Sequence, residues 1–408
     1  MCHPPHSLWH GGTELNVNGA TPSEATGNGG KILCHGVAQN SPITPPATIA
    51  QDSTRVIDMD VLVTGGAGFI GSHLVSLLVK RDAAVRVLER PGAAVDHLPL
   101  DQIDVVFADV CDRSAVEKAV RACPFVYHLA ANPNLWTHRR GHFTRVNYQG
   151  TVHVLDAALE AGARRVLHTS TESILTRAGQ SGAIRADQQV RLDDALGPYC
   201  RSKLLAERHA FRLARCGAPV VIVNPTVPVG PGDRGRSPPT QMILDFCRGG
   251  RNEYLEGELN LIDVRDVAEG MLLAMDHGRT GRRYLLGAEN HTIREIFALL
   301  AGLTGLPEPV RRVPYGVALA AAYVSEFIAD TWTWRMPLAT VTGVRLTRRV
   351  MTFDARESLD ELGLRPRPVR EALGDALTWF RQRGWLTGSV VPGFVAGVSQ
   401  SLSFPLSE

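Results

Sequence analysis

Short apolar runs rich in β-branched residues alternate with stretches of helical period from Met59 to Asn224. Val61, Leu62 and Val63 form the first run, and the others span 84–88, 105–108, 125–130, 165–170 and 219–224. Runs of this kind, without polar alternation, suit strands buried on both faces of a parallel sheet. Leu74, Leu77 and Leu78 open the first helical pattern, and others cover 115–122, 143–161 and 199–215. Strands separated by helices predict right-handed crossovers and an α/β, doubly wound parallel sheet. Ligands of such sheets bind beyond the carboxyl ends of the strands. The loops after residues 64, 88, 108, 130, 170 and 224 should therefore line one cleft.

After Asn224 the rhythm becomes irregular, with Pro225, Pro228, Pro231, Pro238 and Pro239. This predicts a division into a sheet domain at 58–224 and a smaller C-terminal substrate-binding lobe at 225–387, woven back onto it. Val317, Ala320, Ala321, Val324 and Phe327 make a helical stripe near 316–329, followed by Trp332 and Trp334. The expected role of that stripe is packing on the core. An amphipathic face touching a membrane or an apolar substrate is the alternative, and it lacks the Lys and Arg such faces carry.

The flanks differ in composition. Residues 1–57 are rich in Gly, Pro, Ser, Thr and Asn and are expected to be disordered, as is a loose tail at 388–408. Cys2, His3, His6, His10, Cys34 and His35 match no zinc spacing, so a solvated tail without metal is expected. Met59 stands one residue before the first strand pattern, where a compact protein of this type would begin. Residues 1–58 then read as an upstream extension with no role in catalysis.

The chain of 408 residues has a net charge of +2 and 44% hydrophobic residues, which suits a globular enzyme and gives no support for a nucleic-acid partner. No apolar run reaches bilayer-crossing length, and no secretion signal opens the chain. The 7 cysteines are scattered and form no C-x-x-C pair, which points to reduced thiols and a cytoplasmic location.

The first candidate chemistry lies just after the first strand, in Thr64-Gly65-Gly66-Ala67-Gly68-Phe69-Ile70-Gly71. Strand, glycine turn and helix start are the setting of a Rossmann dinucleotide fingerprint. Gly65 permits the tight turn, Gly68 lets backbone approach a pyrophosphate, and Gly71 lets helix and strand pack closely. The helix N-terminus offers its free N–H groups to the phosphates. Glu89 ends the second strand, where a carboxylate binds the ribose 2′-OH of NAD and repels a 2′-phosphate. Arg90 follows and favours NADP instead. The balance leans to NAD.

A second constellation is Tyr199-Cys200-Arg201-Ser202-Lys203, with Tyr and Lys four residues apart on one helix face. An ammonium beside a phenol favours the phenolate, so Lys203 is expected to lower the Tyr199 pKa and let it exchange a proton with a substrate oxygen. The fifth strand ends in His168-Thr169-Ser170-Thr171-Glu172, where a hydroxyl is placed to stabilise the reacting oxygen.

Together T-G-G-A-G-F-I-G, Asp109, H-L-A-A at 128–131, Asn147, T-S-T at 169–171 and Y-C-R-S-K resemble the extended short-chain dehydrogenases/reductases, the NAD-dependent epimerase/dehydratase group. The resemblance covers about 59–386. Within that group, V-I-V-N-P-T-V-P-V-G-P-G-D at 221–233, L-N-L-I-D-V-R-D-V-A-E-G at 259–270 and W-F-R-Q-R-G-W-L at 379–386 look like the hopanoid-associated sugar epimerases, themselves similar to dihydroflavonol 4-reductases.

The resemblance implies catalytic roles for Thr171, Tyr199 and Lys203. It implies a cofactor, NAD or NADP, held by Thr64, Gly65, Gly68, Phe69, Ile70, Gly71, Glu89, Arg90, Asp109, Val110, Ala130, Ala131, Asn147, Tyr199, Lys203 and Pro225. Asp109 would lie near the adenine, and Asn147 would support the helix of the site. Asn132, Trp136, Thr171, Glu172 and Thr226 are the candidate substrate contacts. Glu172-Ser173 stands where sugar-nucleotide dehydratases carry an Asp-Glu pair, so the base is missing and a dehydratase is disfavoured.

The function implied is a nucleotide-sugar-like epimerase. The alternative is a carbonyl reductase of the dihydroflavonol 4-reductase type, and a third reading is a non-catalytic dinucleotide-binding scaffold. The partner is a small molecule, sugar-derived or carbonyl-bearing, and a homodimer is left open.

Overall fold

The computed structural model describes residues 61–249 and 252–386. The expectations for residues 1–57, for the cysteine and histidine cluster within them, for Met59 and for the tail at 388–408 lie outside the described residues. Within them, β1 (Val61–Thr64), β2 (Val85–Glu89), β3 (Ile103–Phe107), β4 (Phe125–His128) and β5 (Arg165–Thr169) fall on the predicted runs. They join the strands Val220–Pro225 and Arg283–Leu286 in one seven-stranded sheet. Its order is Arg283–Leu286, Val220–Pro225, β5, β4, β1, β2, β3, and every pairing is parallel.

Alternation explains why the strands read as continuous apolar runs. Val61, Val63, Val85 and Val87 enter one core layer with Leu74 and Leu78 of helix α1 (Phe69–Val79). Leu62, Leu88, Val166 and Ile222 enter the opposite layer with Val116 of helix α2 (Arg113–Ala119) and Leu155. Both faces of the sheet are covered, so both sets must be apolar. Each fully buried Leu or Val contributes roughly 1.5–3 kcal/mol relative to exposure.

The irregular region after Asn224 returns to this sheet. Helix Val264–His277 packs Val267, Ala268 and Met271 into the layer of α1, and Arg283–Leu286 supplies the seventh strand, which the sequence reading did not separate from the lobe. The rest of the lobe builds its own core from Ile243, Leu244, Leu300, Leu373 and Phe380. It includes a three-stranded sheet of Val227–Val229, Glu258–Asp263 and Glu289–Thr292.

Two expectations need correction. The predicted helix at 143–161 is not one regular helix: an α-turn at Gly141–Phe143 passes into a π-helical stretch, Thr144–Gln149, before the α-helix Gly150–Glu160. The wider turn coincides with the buried Asn147, whose side chain takes three hydrogen bonds described below. Gly150 lies so close to Val110 that an added Cβ would sit 2.8 Å from its Cγ2.

The second correction concerns the stripe near 316–329. Helix Tyr315–Ile328 has Ala322 as its buried residue, while Val317, Ala320, Ala321, Val324 and Phe327 are exposed. Polar ties hold the helix instead: Glu326 accepts the N–H of Val341 at 2.8 Å, and Ser325 Oγ accepts that of Leu338 at 2.9 Å. Periodicity locates an apolar face but does not say which way it points.

Candidate active site

The glycine turn is sterically determined. Gly65 has φ +75°, and a Cβ there would lie 2.9 Å from the backbone nitrogen of Ala130. At Gly71 a Cβ would lie 2.1 Å from the Gly65 carbonyl oxygen, so α1 can start where it does only with glycine. Gly68 is exposed at the helix entry and caps α1 without a side chain. The first-turn N–H groups, which have no intrahelical acceptor, therefore face outward beside bare backbone. At the end of β2, Glu89 Oε1 accepts the N–H of Ala67 at 2.7 Å. Burial raises its pKa, and the N–H groups of Ala67 and Arg90 act against that.

Behind the turn runs a chain of hydrogen bonds with a defined direction. Thr151 donates its hydroxyl to the Asn147 carbonyl at 2.7 Å, so its Oγ1 accepts from His128 Nε2 at 2.9 Å. His128 Nδ1 is then the acceptor for the Thr64 hydroxyl at 2.8 Å, and Thr64 Oγ1 accepts the Ala130 N–H at 3.2 Å. Burial lowers the His128 pKa to about 3, so the ring is neutral as this pattern requires. Thr64, Ala130 and Asn147 are thus linked through His128, which the sequence shows only as the first residue of the H-L-A-A motif, and through Thr151, which it does not single out.

Asn147 is fully buried, and its amide joins two elements. Oδ1 accepts the N–H of Asn132 at 2.7 Å, and Nδ2 donates to the Asn132 carbonyl and to Ser202 Oγ, each at 3.1 Å. Ser202 in turn donates to the Tyr199 carbonyl at 2.7 Å. Asn147 therefore positions the loop after β4 against helix Gly197–Arg215, which carries Tyr199 and Lys203.

Thr171, Glu172 and Tyr199 converge. Thr171 donates its hydroxyl to Glu172 Oε2 at 2.7 Å, and both residues act on the Tyr199 phenol. The expected lowering of the Tyr199 pKa is not what this arrangement produces. Burial raises it, the Glu172 charge adds to that, and the Thr171 hydroxyl opposes. Lys203 points its ammonium at the Thr169 carbonyl, 2.6 Å away. Burial pushes Lys203 down to about 8, against the pull of Glu207.

Beneath the site lies a layer the sequence reading missed. Asn224 Nδ2 donates to the Thr171 carbonyl at 2.9 Å and to Glu207 Oε2 at 2.8 Å. Glu207 also pairs with Arg283 at 2.5 Å, and both are buried. The spacing of Glu207, one helical turn beyond Lys203, was the available signal; Arg283 gave none. Two candidate substrate contacts are engaged elsewhere. Trp136 donates its indole N–H to Asp330 Oδ1 at 3.2 Å, and Thr226 donates to the Leu286 carbonyl at 3.2 Å. Asp109 is exposed, accepting the Cys111 N–H at 2.9 Å, beside the buried Val110.

The strand ends fit a dinucleotide. Gly68 leaves a cradle that a side chain would fill, and the buried hydroxyls of Thr169 and Ser170 at the end of β5 have no hydrogen-bond partner. Comparison with known proteins decides the family: the family model described as NAD dependent epimerase/dehydratase family matches residues 61–287. The chain belongs to that family.

Members of this NAD(P)-dependent family align along most of the chain. A Synechocystis protein named as a dihydroflavonol 4-reductase is 37% identical, over 79% of this chain and 95% of its own. Sterol demethylase protein B of Methylococcus capsulatus is 33% identical, over 80% of this chain and 100% of its own. The 4-hydroxy-2-methyl-3-oxo-4-farnesyl-3,4-dihydroquinoline-1-oxide ketoreductase of Stigmatella aurantiaca is 30% identical, over 80% and 97%. Among solved structures, gox2253 matches with a TM-score of 0.71 at 33% identity, covering 81% of this chain and 100% of that one. MoeE5 in complex with UDP-glucose and NAD matches with a TM-score of 0.63 at 26% identity, covering 79% and 99%.

Proposed function

We propose that this family member is an NAD(P)-linked oxidoreductase that interconverts a ketone and a secondary alcohol on an apolar, sterol- or prenyl-bearing substrate. The observation that carries this reading is the naming of three relatives at 30% identity or more, as a reductase, a sterol demethylase protein and a farnesyl-quinoline ketoreductase. The dinucleotide would be held by Thr64, Gly65, Gly68 and the start of α1, by Glu89 and Arg90 at the ribose, by Asp109 and Val110 near the base, and by Ala130, Ala131, Tyr199, Lys203 and Pro225 toward the nicotinamide. Bound there, it supplies the hydride donor or acceptor.

The chain's own residues handle the proton. Tyr199 carries it at Oη, held protonated by burial and by the Glu172 charge, as reduction of a carbonyl requires. The Thr171 hydroxyl, which donates to Glu172, lies beside the same phenol and is placed to bond the substrate oxygen. Lys203 braces the end of β5 through Thr169 and offers positive charge at the ribose side. Asn132 and Pro225 frame the substrate side, with Glu172 buried beside Tyr199. The described cysteines Cys111, Cys123, Cys200, Cys216 and Cys247 are free thiols, in keeping with a cytoplasmic site of action.

An epimerase acting on a nucleotide sugar, of the hopanoid-associated kind, is the second reading, supported by the likeness to MoeE5 bound to UDP-glucose and NAD. A nucleotide assay on denatured protein, paired with NADH and NADPH oxidation against a water-soluble ketone, separates the two. Protein that purifies empty and consumes reduced cofactor in step with ketone supports the oxidoreductase. Stoichiometric retained NAD⁺ with turnover that leaves it unchanged overturns it in favour of the epimerase. Tyr199→Phe should abolish turnover in either case and leave cofactor binding intact.

A further inference from the structure

Helix Tyr315–Ile328 carries its apolar stripe outward, and the segment after it extends the same character. Phe327 is 61% exposed, Trp332 77%, Trp334 67% and Leu338 86%. Exposed apolar residues scattered singly need no explanation, but a contiguous set on one helix and its continuation does. No described helix is long and apolar enough to cross a membrane, so this face can lie against a bilayer but not span it.

Arginines outnumber carboxylates around the stripe: residues 311–349 hold six arginines and two carboxylates. Those two, Glu326 and Asp330, share the single cation of Arg140. The neighbouring cations use aromatic partners: Arg345 donates to the Tyr323 hydroxyl at 2.6 Å, and Arg348 lies 4.5 Å from the centre of the Tyr315 ring. At the start of the helix, Arg311, Arg312 and Val317 line a groove of about 440 Å³ together with Glu253, and Arg312 pairs with Glu256. Arg311, Arg345 and Arg348 supply the cationic flank that the stripe's own helix lacks.

We propose that this face docks the protein on an anionic lipid bilayer, with the apolar stripe and the two tryptophans at the interface and the arginines over the headgroups. A second copy of the chain is a poorer occupant. A two-fold interface would appose two copies of the same net-cationic patch, with arginines outnumbering carboxylates on both sides. The face also adjoins the active site. Asp330 and Glu326 hold Trp136 and Arg140, in the loop whose Asn132 is fixed by Asn147 against the Tyr199 helix. Delivery of an apolar substrate from the bilayer to that loop rests on the oxidoreductase reading; the docking itself rests on the surface alone.

The test is co-flotation of the full chain with vesicles of phosphatidylcholine, with and without phosphatidylglycerol. Binding to the anionic vesicles that weakens with salt is expected, with a loss of roughly tenfold or more in the combined variant Phe327→Ser, Trp332→Ser, Trp334→Ser, Leu338→Ser. A separate Arg345→Glu, Arg348→Glu variant should lose preference for the anionic vesicles while retaining the wild-type Tm. No flotation, flotation unchanged in both variants, or a dimer by light scattering that the serine variant dissociates would overturn the docking. Turnover of a water-soluble ketone reads the proposed function separately. Flotation without turnover removes that function and leaves the docking; turnover without flotation does the reverse.

Discussion

Thr171 donates a hydrogen bond to Glu172 Oε2 at 2.7 Å, beside the Tyr199 phenol. Thr171, Glu172 and Tyr199 are all buried, and the carboxylate biases the phenol toward its protonated form. Glu172 is itself pushed up by burial, with the Thr171 bond acting against it.

Replacing Glu172 by Gln removes a negative charge beside Tyr199. An anion near a phenol raises its pKa, so its removal lowers that pKa. In the alcohol-oxidising direction, where Tyr199 must accept a proton, the rise of kcat/KM with pH should move to lower pH. Profiles of wild type and variant that superimpose would remove Glu172 from its electrostatic role.

Asn147→Ala should act on position, not on cofactor contact. It deletes three hydrogen bonds, one buried and two partly buried, that tie the Asn132 loop to the Ser202–Tyr199 turn through Asn147. Leaving such partners unsatisfied costs about 1–3 kcal/mol. The expected result is a lower Tm and a fall in kcat, with the Kd for NAD⁺ little changed. A variant that loses NAD⁺ affinity and keeps kcat would reverse this assignment.

Glu207→Ala tests the layer beneath the site. It strips Arg283 of its buried carboxylate and Asn224 of an acceptor. Breaking one side of a buried pair costs about 3–5 kcal/mol, visible by chemical denaturation. Glu207 also raises the Lys203 pKa, so its loss should carry that group below about 8. Because Lys203 loses its charge as pH rises, the alkaline fall of kcat/KM should begin at lower pH. An unmoved alkaline limb would show that Lys203 does not set it.

Glu89→Ala should raise affinity for NADP relative to NAD. The carboxylate sits at the end of β2, bonded to the Ala67 N–H of the glycine turn, where it would repel a 2′-phosphate. Isothermal titration with both cofactors checks this, and an unchanged ratio would show that Arg90 or another group selects.

What the sequence by itself determined is local or short-range. The β-branched runs named the strands of a sheet covered on both faces, although the seventh, Arg283–Leu286, was hidden in an irregular region. The glycines at 65, 68 and 71 set the turn, because their spacing alone fixes which Cβ atoms are missing. Tyr199 and Lys203 shared a helix face because four residues make about one turn.

The tertiary structure decided what distant elements do to one another. Lys203 meets the Thr169 carbonyl, Thr171 is held from behind by Asn224, and Glu207 finds Arg283, each pairing set by which strand ends the fold brings together. The same holds for the stripe from Val317 to Phe327. Its period marked an apolar face, but a 3.6-residue repeat carries no information about what lies opposite. Only the packing of Ala322 and the polar ties at Glu326 turned that face outward.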